Sequence, residues 1–221
     1  MRAESSSDRE LLLLHLSTMF VFDTQGRMAA VNEPGLPPPP RIFIASTASD
    51  RVIRVGARVP ERVAREWLRC ATDEQIANSV KAHQPIEREH RGPAFVLPEL
   101  LGPTDEAILP VTGSHPLHPE LVARGWKFGE SGPYLGAVRE GVVVAVCFSS
   151  RVGEHACAAG VETASSYRGQ GLGESVVRAW AAAVQATGKL ALYSTSWENE
   201  ASRRIAAKLA ARHFGEDWHL T

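Results

Sequence analysis

The chain has 221 residues, and its 24 Lys and Arg against 25 Asp and Glu give a formal net charge of −1. This balance gives no electrostatic basis for binding nucleic acid or an anionic membrane. The three cysteines are widely spaced and odd in number, so neither a disulfide framework nor a zinc site is expected, and a cytoplasmic protein is predicted. The length allows one large domain or two small ones.

The apolar run Leu11–Phe22 is the candidate for a targeting segment. Acidic residues precede it (Glu4, Asp8 and Glu10), it has no small-residue cleavage site, and it is too short to cross a bilayer. The sequence therefore predicts a buried helix over residues 5–20 rather than a leader or an anchor. Its expected apolar face consists of Leu12, Leu13, Leu16, Met19 and Phe20.

The rest of the first half predicts short elements. A hairpin is expected over 21–31, and two strands are expected over 41–46 and 51–55. Helices are expected from Pro60 onward and over 73–83.

The composition changes between residues 91 and 119, where six prolines and three glycines occur. Because proline has no N–H for a β-ladder, this segment is predicted to connect an N-terminal α/β region, 1–110, to a C-terminal domain, 111–221. His115 and His118 lie here without a nearby Cys or acidic partner in sequence. A turn followed by a helix from Pro119 is therefore favoured, and no metal is expected.

The second half predicts elements in the order β-β-β-α-β-α after a short helix over 119–126. A loosely similar order in the first half leaves open a degenerate tandem arrangement. The predicted strands cover 134–139, 142–149, 155–163 and 190–196, and the last helix covers 198–213, with Ala201, Ile205 and Leu209 facing inward.

A glycine-rich segment, Arg168-Gly169-Gln170-Gly171-Leu172-Gly173, lies between a predicted strand and a helix. Free amides at a helix start favour an anion, and glycine lets phosphate oxygens reach the backbone. A tight turn with no ligand is the alternative. A P-loop is excluded because Glu174 follows Gly173, and the spacing does not match the dinucleotide fingerprint. The helix face expected to pack inward is Leu172, Val176, Val177, Trp180, Ala181 and Val184.

The run Y-R-G-Q-G-L-G resembles the acetyl-coenzyme A motif R/Q-x-x-G-x-G/A of the GNAT N-acetyltransferase superfamily, with Arg168, Gly171 and Gly173 at the fixed positions. The later segment Leu192–Leu209 resembles the second element of that superfamily, a strand followed by an Asn and a helix. The resemblance covers roughly residues 117–221. It implies an α/β (α+β) fold with a mixed, mostly antiparallel central sheet flanked by helices.

The resemblance also implies site residues and a cofactor, acetyl-coenzyme A (acetyl-CoA). The backbone of Val161 and Thr163 is expected to pair with the pantetheine arm, and Asn199 and Ser202 to contact it from the opposite side. An N-terminal cap of the last helix is a second role for Asn199. The expected pyrophosphate-binding residues are Arg168, Gly169, Gln170, Gly171, Leu172 and Gly173.

At the catalytic groups the sequence departs from the superfamily pattern. Many members of the superfamily have a Tyr acid seven residues after the Asn, where this chain has Ala206, so Ser194, Ser196 or solvent is expected to substitute. Glu162, which points opposite to the pantetheine-pairing residues, is the expected general base. Glu154 and His155 are the alternatives.

Two functions from different classes follow. The first is an acetyl-CoA-dependent N-acetyltransferase acting on a small-molecule amine or a protein amino group. The second is a non-catalytic acyl-CoA-binding or sensing module. Neither nucleic acid nor a membrane is expected as a partner, and a homodimer stays open.

Overall fold

The computed structural model describes residues 5–33, 35–99, 108–128 and 132–221. Within these ranges the helices are α1 (Asp8–Met19), α2 (Glu61–Trp67), α3 (Asp73–His83), α4 (Pro119–Ala123), α5 (Leu172–Gln185) and α6 (Glu200–Lys208). The strands are β1 (Phe20–Phe22), β2 (Met28–Val31), β3 (Ile42–Ser46), β4 (Arg51–Val55), β5 (Glu89–Val96), β6 (Ile108–Pro110), β7 (Tyr134–Arg139), β8 (Val142–Val152), β9 (Ala156–Thr163), β10 (Leu190–Ser194) and β11 (Arg212–Leu220).

Nine strands form one sheet in the order β4-β3-β11-β5-β10-β9-β8-β7-β6, and β1 pairs with β2 in a separate hairpin. Neighbours in the large sheet are antiparallel, except that β9 and β10 run parallel. The predicted mixed, mostly antiparallel sheet flanked by helices is confirmed.

The side chains of β10 show which helices cover each face of the sheet. Leu190 and Leu192 pack in the cluster of α1, whereas Ala191 and Tyr193 pack in the cluster of α5 around Trp180. Because successive side chains of a strand point to opposite faces, α1 and α5 cover opposite faces. We call these the α1 face and the α5 face.

The first helix and the glycine-loop helix form largely as predicted. Ser7 caps α1 in a reciprocal pair with Glu10, and the predicted inward face of α5 is buried. The predicted face of α1 is wrong at one position, because Leu13 is 40% exposed while Leu11 and Leu14 are buried. The apolar stripe of α1 is so wide that sequence spacing alone did not locate its edge.

The prediction that residues 91–119 form a connection is wrong for its first part. Glu89–Val96 form β5, which lies between β10 and β11, and Ile108–Pro110 form the strand β6. Residues 100–107 of this segment lie outside the described residues.

Pro93 and Gly92 are accommodated in β5 where β10 ends. The carbonyl of Pro93 accepts a hydrogen bond from the N–H of Thr195 at 3.3 Å, one residue beyond Ser194, the last residue of β10 that pairs with β5. The ring nitrogen faces the same side, where no ladder donor is needed. At Gly92 an added Cβ would lie 1.8 Å from the carbonyl oxygen of Thr195, so only glycine fits.

The predicted last helix is too long. Helix α6 ends at Lys208, and Arg212–Leu220 form β11, inserted between β3 and β5. The predicted inward position Ala201 is exposed, whereas Ser202 and Ala206 are buried. Likewise, β10 ends two residues earlier than predicted.

Strands β3 and β5, before residue 110, are hydrogen-bonded to β11, after it, in one sheet. The division into 1–110 and 111–221 stays a prediction. No helix of the described ranges has both the length and the apolar character that crossing a membrane requires.

Candidate functional site

Strands β9 and β10 separate after a short parallel ladder. They pair only through Ala156–Ala158 and Leu190–Leu192, although β9 continues to Thr163 and remains paired with β8 on its other side. Over its last five residues, Ala159 to Thr163, β9 thus presents an edge toward the gap that β10 leaves. An extended chain of amides can add to such an edge through backbone hydrogen bonds.

The loop between β9 and α5 leaves a run of backbone donors without partners. Gly169 and Gly171 have φ of 76° and 80°, and α5 begins at the next residue. The first bond of the helix runs from the N–H of Ser175 to the carbonyl of Gly171. Within the described residues, the six N–H groups of residues 169–174 make no hydrogen bond. Such donors, at the positive end of the helix dipole, form an anion-binding site.

A side chain from α4 anchors this loop. Glu120 accepts hydrogen bonds from the backbone N–H of Ser165 and, at 2.9 Å, from the hydroxyl of Ser166. The Ser165 N–H in particular lowers the pKa of Glu120 to about 2. The short 3-10 helix Ser165–Tyr167, which leads into the glycines, is therefore fixed to α4.

A cavity of about 840 Å³ lies between the glycine loop, the free edge of β9 and α6. Ten of the eleven predicted site residues line it; Gln170 lies on the same loop but does not contribute to the wall. The ten are Val161, Glu162, Thr163, Arg168, Gly169, Gly171, Leu172, Gly173, Asn199 and Ser202.

The charge of the wall suits an anionic ligand. Four basic side chains line the cavity against two acidic ones. One of the basic side chains, Lys208, is ion-paired to Glu174 at 3.2 Å, and both project from helices on the α5 face. The basic residues are Arg124, Arg168, Arg204 and Lys208, and the acidic residues are Glu162 and Glu174.

Glu162 points away from the α5 face, where its neighbour Val161 packs. Its Oε2 atom lies 3.1 Å from Nη1 of Arg124, with side chains 41% and 34% exposed. The same guanidinium donates from Nη2 to the carbonyl of Thr163 at 3.0 Å. The carboxylate thus lies at the cavity wall, with one oxygen in an ion pair that ties α4 to the end of β9.

The other predicted acid–base groups lie elsewhere. Glu154 and His155 precede β9, at the end opposite the glycine loop, and Ser194 and Ser196 lie at and just beyond the end of β10. None of these four lines the cavity as the described residues form it. Ala206, in place of a Tyr, is buried and offers no hydroxyl.

A buried hydroxyl pair lies at the cavity instead. Oη of Tyr193 is 2.5 Å from Oγ of Ser202, and burial raises the pKa of Tyr193 to about 12. The N–H of Ser202 donates to Oδ1 of Asn199 at 3.1 Å, so Asn199 caps α6, one of its two predicted roles.

Sequence reasoning missed several residues that line the cavity or, like Tyr193, contact a residue of its wall. Tyr193 is visible in sequence only as one apolar residue of a strand, and its partner Ser202 is on a different element. Arg124, the residue after α4, reaches Glu162 and the carbonyl of Thr163 through side-chain contacts that sequence separation hides. Tyr167 packs against the core of the α5 face with its side chain partly exposed, and it also lines the cavity.

The two histidines weighed as metal ligands have local roles. The ring Nδ1 of His118 accepts the N–H of Glu120 at 3.3 Å, where α4 begins at Pro119 as predicted, and Nδ1 of His115 accepts the N–H of Thr112 at 3.1 Å. The described part of the chain contains no group of three or more His, Cys, Asp or Glu side chains able to hold a metal ion.

Comparison with known proteins identifies this arrangement. Residues 126–216 match the family model for GNAT acetyltransferases. The similarity to GNAT acetyltransferases thus lies in the C-terminal half of the chain. No match is found among curated protein sequences.

Solved structures agree on the fold. A structure from Novosphingobium aromaticivorans, assigned to the GNAT acetyltransferases, aligns with a TM-score of 0.52 at 19% identity, covering 61% of this chain. The aligned part is 65% of that protein, slightly under two thirds of its length. A GCN5-related N-acetyltransferase-like protein from Streptococcus suis aligns with a TM-score of 0.51 at 13% identity, covering 83% of this chain and 85% of that one. The chain thus has the GNAT fold.

Proposed function

We propose that the protein is an acetyl-CoA-dependent N-acetyltransferase that transfers an acetyl group to a primary amine of a small molecule or a protein, by direct attack in a ternary complex in the cytoplasm. The observation that carries the proposal is the run of six N–H groups, from residue 169 to residue 174, that have no partner among the described residues and lie at a cavity with a predominantly basic wall. Acetyl-CoA combines a pyrophosphate, an amide-rich arm and a thioester, and the first two have a matching feature here: the glycine loop and the free edge of β9.

The amides of residues 169–174 hold the pyrophosphate, and Arg168 adds a charge-assisted contact. The edge of β9 beyond Ala158 pairs with the amides of the arm, as an added strand would. Asn199 and Ser202, at the start of α6, flank the arm from the opposite wall of the cavity. The bound cofactor supplies an activated acetyl group, and the chain positions it.

The amine must reach the acetyl carbon in its neutral form. Glu162 lies on the face of β9 opposite α5, so an amine that approaches from the α1 face meets its carboxylate. Oε2 is held by Arg124, which leaves Oε1 to accept the amine proton directly or through water. Backbone N–H groups of the β9 edge are suited to polarise the acetyl carbonyl.

The non-catalytic acyl-CoA-binding module is the second candidate. The observations that favour it are the aliphatic residue Ala206 at the usual acid position and the Arg124 contact that occupies one oxygen of Glu162. Both functions require the same cofactor cavity, so binding does not separate them.

Two measurements, made one after the other, test the proposal. Calorimetry with coenzyme A, with and without a chelator, should show binding that the chelator leaves unchanged; absence of binding refutes both candidates. Acetyl-CoA with a panel of small amines and lysine peptides, followed by free-thiol detection, should then show amine-dependent thiol release. Tight binding with no release from any amine would favour the sensing module.

A further inference from the structure

The hydrogen bond between Tyr193 and Ser202 has a defined direction. A phenolic hydroxyl is the stronger donor, and in the described part of the chain the buried Oη of Tyr193 reaches the Oγ of Ser202 as its partner. If Tyr193 did not donate there, its proton would be buried without an acceptor, which is costly. Tyr193 therefore donates and Ser202 accepts.

The hydrogen of the Ser202 hydroxyl must then point elsewhere. A serine in a helix often returns this hydrogen to the carbonyl four residues earlier, which here belongs to Glu198. No such bond is formed among the described residues. Since Ser202 is part of the cavity wall, its O–H is available to a ligand in the cavity.

The position of this donor along the cavity is set by the strands. Tyr193 is one residue beyond Leu192, the last residue of β10 that pairs with β9, so it lies where the two strands begin to separate. The glycine loop lies at the other end, after Thr163. With the pyrophosphate on the loop, the arm runs along β9 toward the point of separation, and its sulfur end comes closest to this hydroxyl pair.

We propose that Ser202, polarised by Tyr193, donates a hydrogen bond to the sulfur of coenzyme A as the thiolate leaves. This inference rests on the proposed function and assigns the pair to the place that Ala206 leaves without a donor. In the transfer, the amine nitrogen bonds to the acetyl carbon, and the carbon–sulfur bond breaks with its electron pair passing to sulfur. The amine proton passes to Glu162 or water.

Ser202 keeps its own proton throughout. An aliphatic hydroxyl, or a phenol whose burial raises its pKa to about 12, is a weaker acid than a thiol, for which the cysteine side chain at ~8.5 is the reference, so neither protonates the thiolate. The pair therefore stabilises the negative sulfur by hydrogen bonding. This differs from general acid catalysis, which would leave a basic limb in the pH–rate profile.

The test uses free coenzyme A and needs no acceptor. The ultraviolet absorbance of the bound thiolate, titrated against pH with desulfo-coenzyme A as the background for Cys70, Cys147 and Cys157, gives the thiol ionisation constant. A hydrogen bond to a charged group is worth about ten- to a hundredfold in such a constant. Ser202→Ala, which removes the donor, should reduce it by about that factor. Tyr193→Phe, which leaves the Ser202 hydroxyl in place but no longer polarised, should reduce it by a smaller, measurable factor. Ser202→Thr, which keeps a hydroxyl, should retain most of the wild-type value.

Tyr167→Phe is the matched control, because it removes a tyrosine hydroxyl from the same cavity outside the pair. It should leave the thiol ionisation constant unchanged. Unaltered thiol ionisation in Ser202→Ala with coenzyme A still bound would overturn the inference while leaving the proposed function intact. If Ser202→Ala changed the thiol ionisation constant and Tyr193→Phe did not, the inference that the two hydroxyls act as a pair would also be overturned. Loss of coenzyme A binding by the wild type would instead refute the proposed function.

Discussion

Two polar regions of this molecule differ in whether their polar groups are paired with each other or left open to a cavity. The first is the glycine-loop site just described. The second, which we call the histidine cluster, consists of Asp217, His15, His90 and His219. Nε2 of His15 lies 3.1 Å from Oδ2 of Asp217, and Nε2 of His90 lies 3.3 Å from Oδ1, with the carboxylate buried.

In the histidine cluster the carboxylate of Asp217 is buried and contacts two histidine rings. Burial acts to raise the pKa of Asp217, but hydrogen bonds from His15 and His90 outweigh it and hold the pKa at about 2. The ring of His219 stacks on His90 with centroids 4.8 Å apart. Nδ1 of His15 and Nδ1 of His219 are buried without a hydrogen-bond partner in the described chain, which is an energetic cost of enclosing these side chains.

At the glycine loop the donors have no partner within the described ranges, but they lie at a cavity. A free N–H in contact with solvent costs little, and it is free to bind a ligand. The difference between the two regions indicates which polar residues serve folding and which serve binding. Variants in one region should therefore change one property and spare the other.

The largest effect is expected for Glu162→Gln. Loss of a general base typically lowers turnover by about a hundred- to ten-thousandfold, and the acidic limb of the pH–rate profile should disappear. Coenzyme A affinity should stay within a few-fold, because the carboxylate faces away from the α5 side. Glu174→Gln, in the same cavity, is the control and should keep the profile. A wild-type rate and profile in Glu162→Gln would move the base to water or another group.

Asp217→Ala should have the next largest effect, on folding. Removing one partner of a buried ion pair typically costs about 3–5 kcal/mol, because the other charges are left without compensation. Urea denaturation measures the free energy of unfolding. Glu200→Ala, which breaks an exposed pair with Arg204, should change it little. Where Asp217→Ala remains folded, coenzyme A affinity should be unchanged; a large loss of affinity would show that the two regions are coupled.

Arg168→Ala should weaken coenzyme A binding by about ten- to a hundredfold, the value of one charge-assisted hydrogen bond of about 1.5–3 kcal/mol. Added salt should reduce the difference from wild type if the contact is partly exposed. Arg178→Ala, on α5 but outside the cavity wall, is the matched control. Equal calorimetric affinities for Arg168→Ala and Arg178→Ala would contradict a phosphate contact.

Gly171→Ala tests the loop backbone. Because φ is 80° at this position, a side chain is strained there by about 1–2 kcal/mol, although nothing within 4 Å would obstruct the Cβ. Gly113→Ala is the control, as that glycine also faces open space but does not have a positive φ. Thermal unfolding should separate the two variants, and no difference between them would contradict the strain.

The last expected effect is a pH dependence of stability from the histidine cluster. Hydrogen bonding to Asp217 raises the pKa of His90 above 6.5, so its stabilising contribution is present below pH 6.5 and is lost as the pH rises through the folded value. Burial lowers the pKa of His219 to about 4, so stability also falls as the pH drops from about 6.5 toward 4. The free energy of unfolding, measured across this pH range, should therefore have a maximum near pH 6.5. His90→Gln should reduce the decline of this free energy on the alkaline side of the maximum. An unchanged alkaline side in His90→Gln would contradict the assignment.

The fold was predictable where one local pattern dominates. The three-to-four-residue spacing of α5 and the alternating hairpin of β7 and β8 need no tertiary information. Strand β5 was missed because Gly92 and Pro93 normally interrupt strands, and only the early end of β10 permits them there. Strand β11 was missed because it has a bulge between His213 and Gly215 and a buried Asp217, which makes sense only beside His15 and His90.

The site was predictable to the same degree. The glycine loop and Asn199 are sequence-local signals, and the structure places both at one cavity. Arg124 and Tyr193 were not predictable, because each acts through a partner on another element. Long-range pairing of this kind leaves no periodic trace in the sequence.

The position of β11 in the sheet also determines when the sheet can be completed during synthesis. This strand is translated after every other described element, yet it fills the gap between β3 and β5, which are made more than a hundred residues earlier. Until it is available, both of those strands have an unpaired edge, a state prone to association with other chains. We expect completion of the sheet to be a late, non-local step, and folding on the ribosome to be slower than the short hairpins alone would suggest.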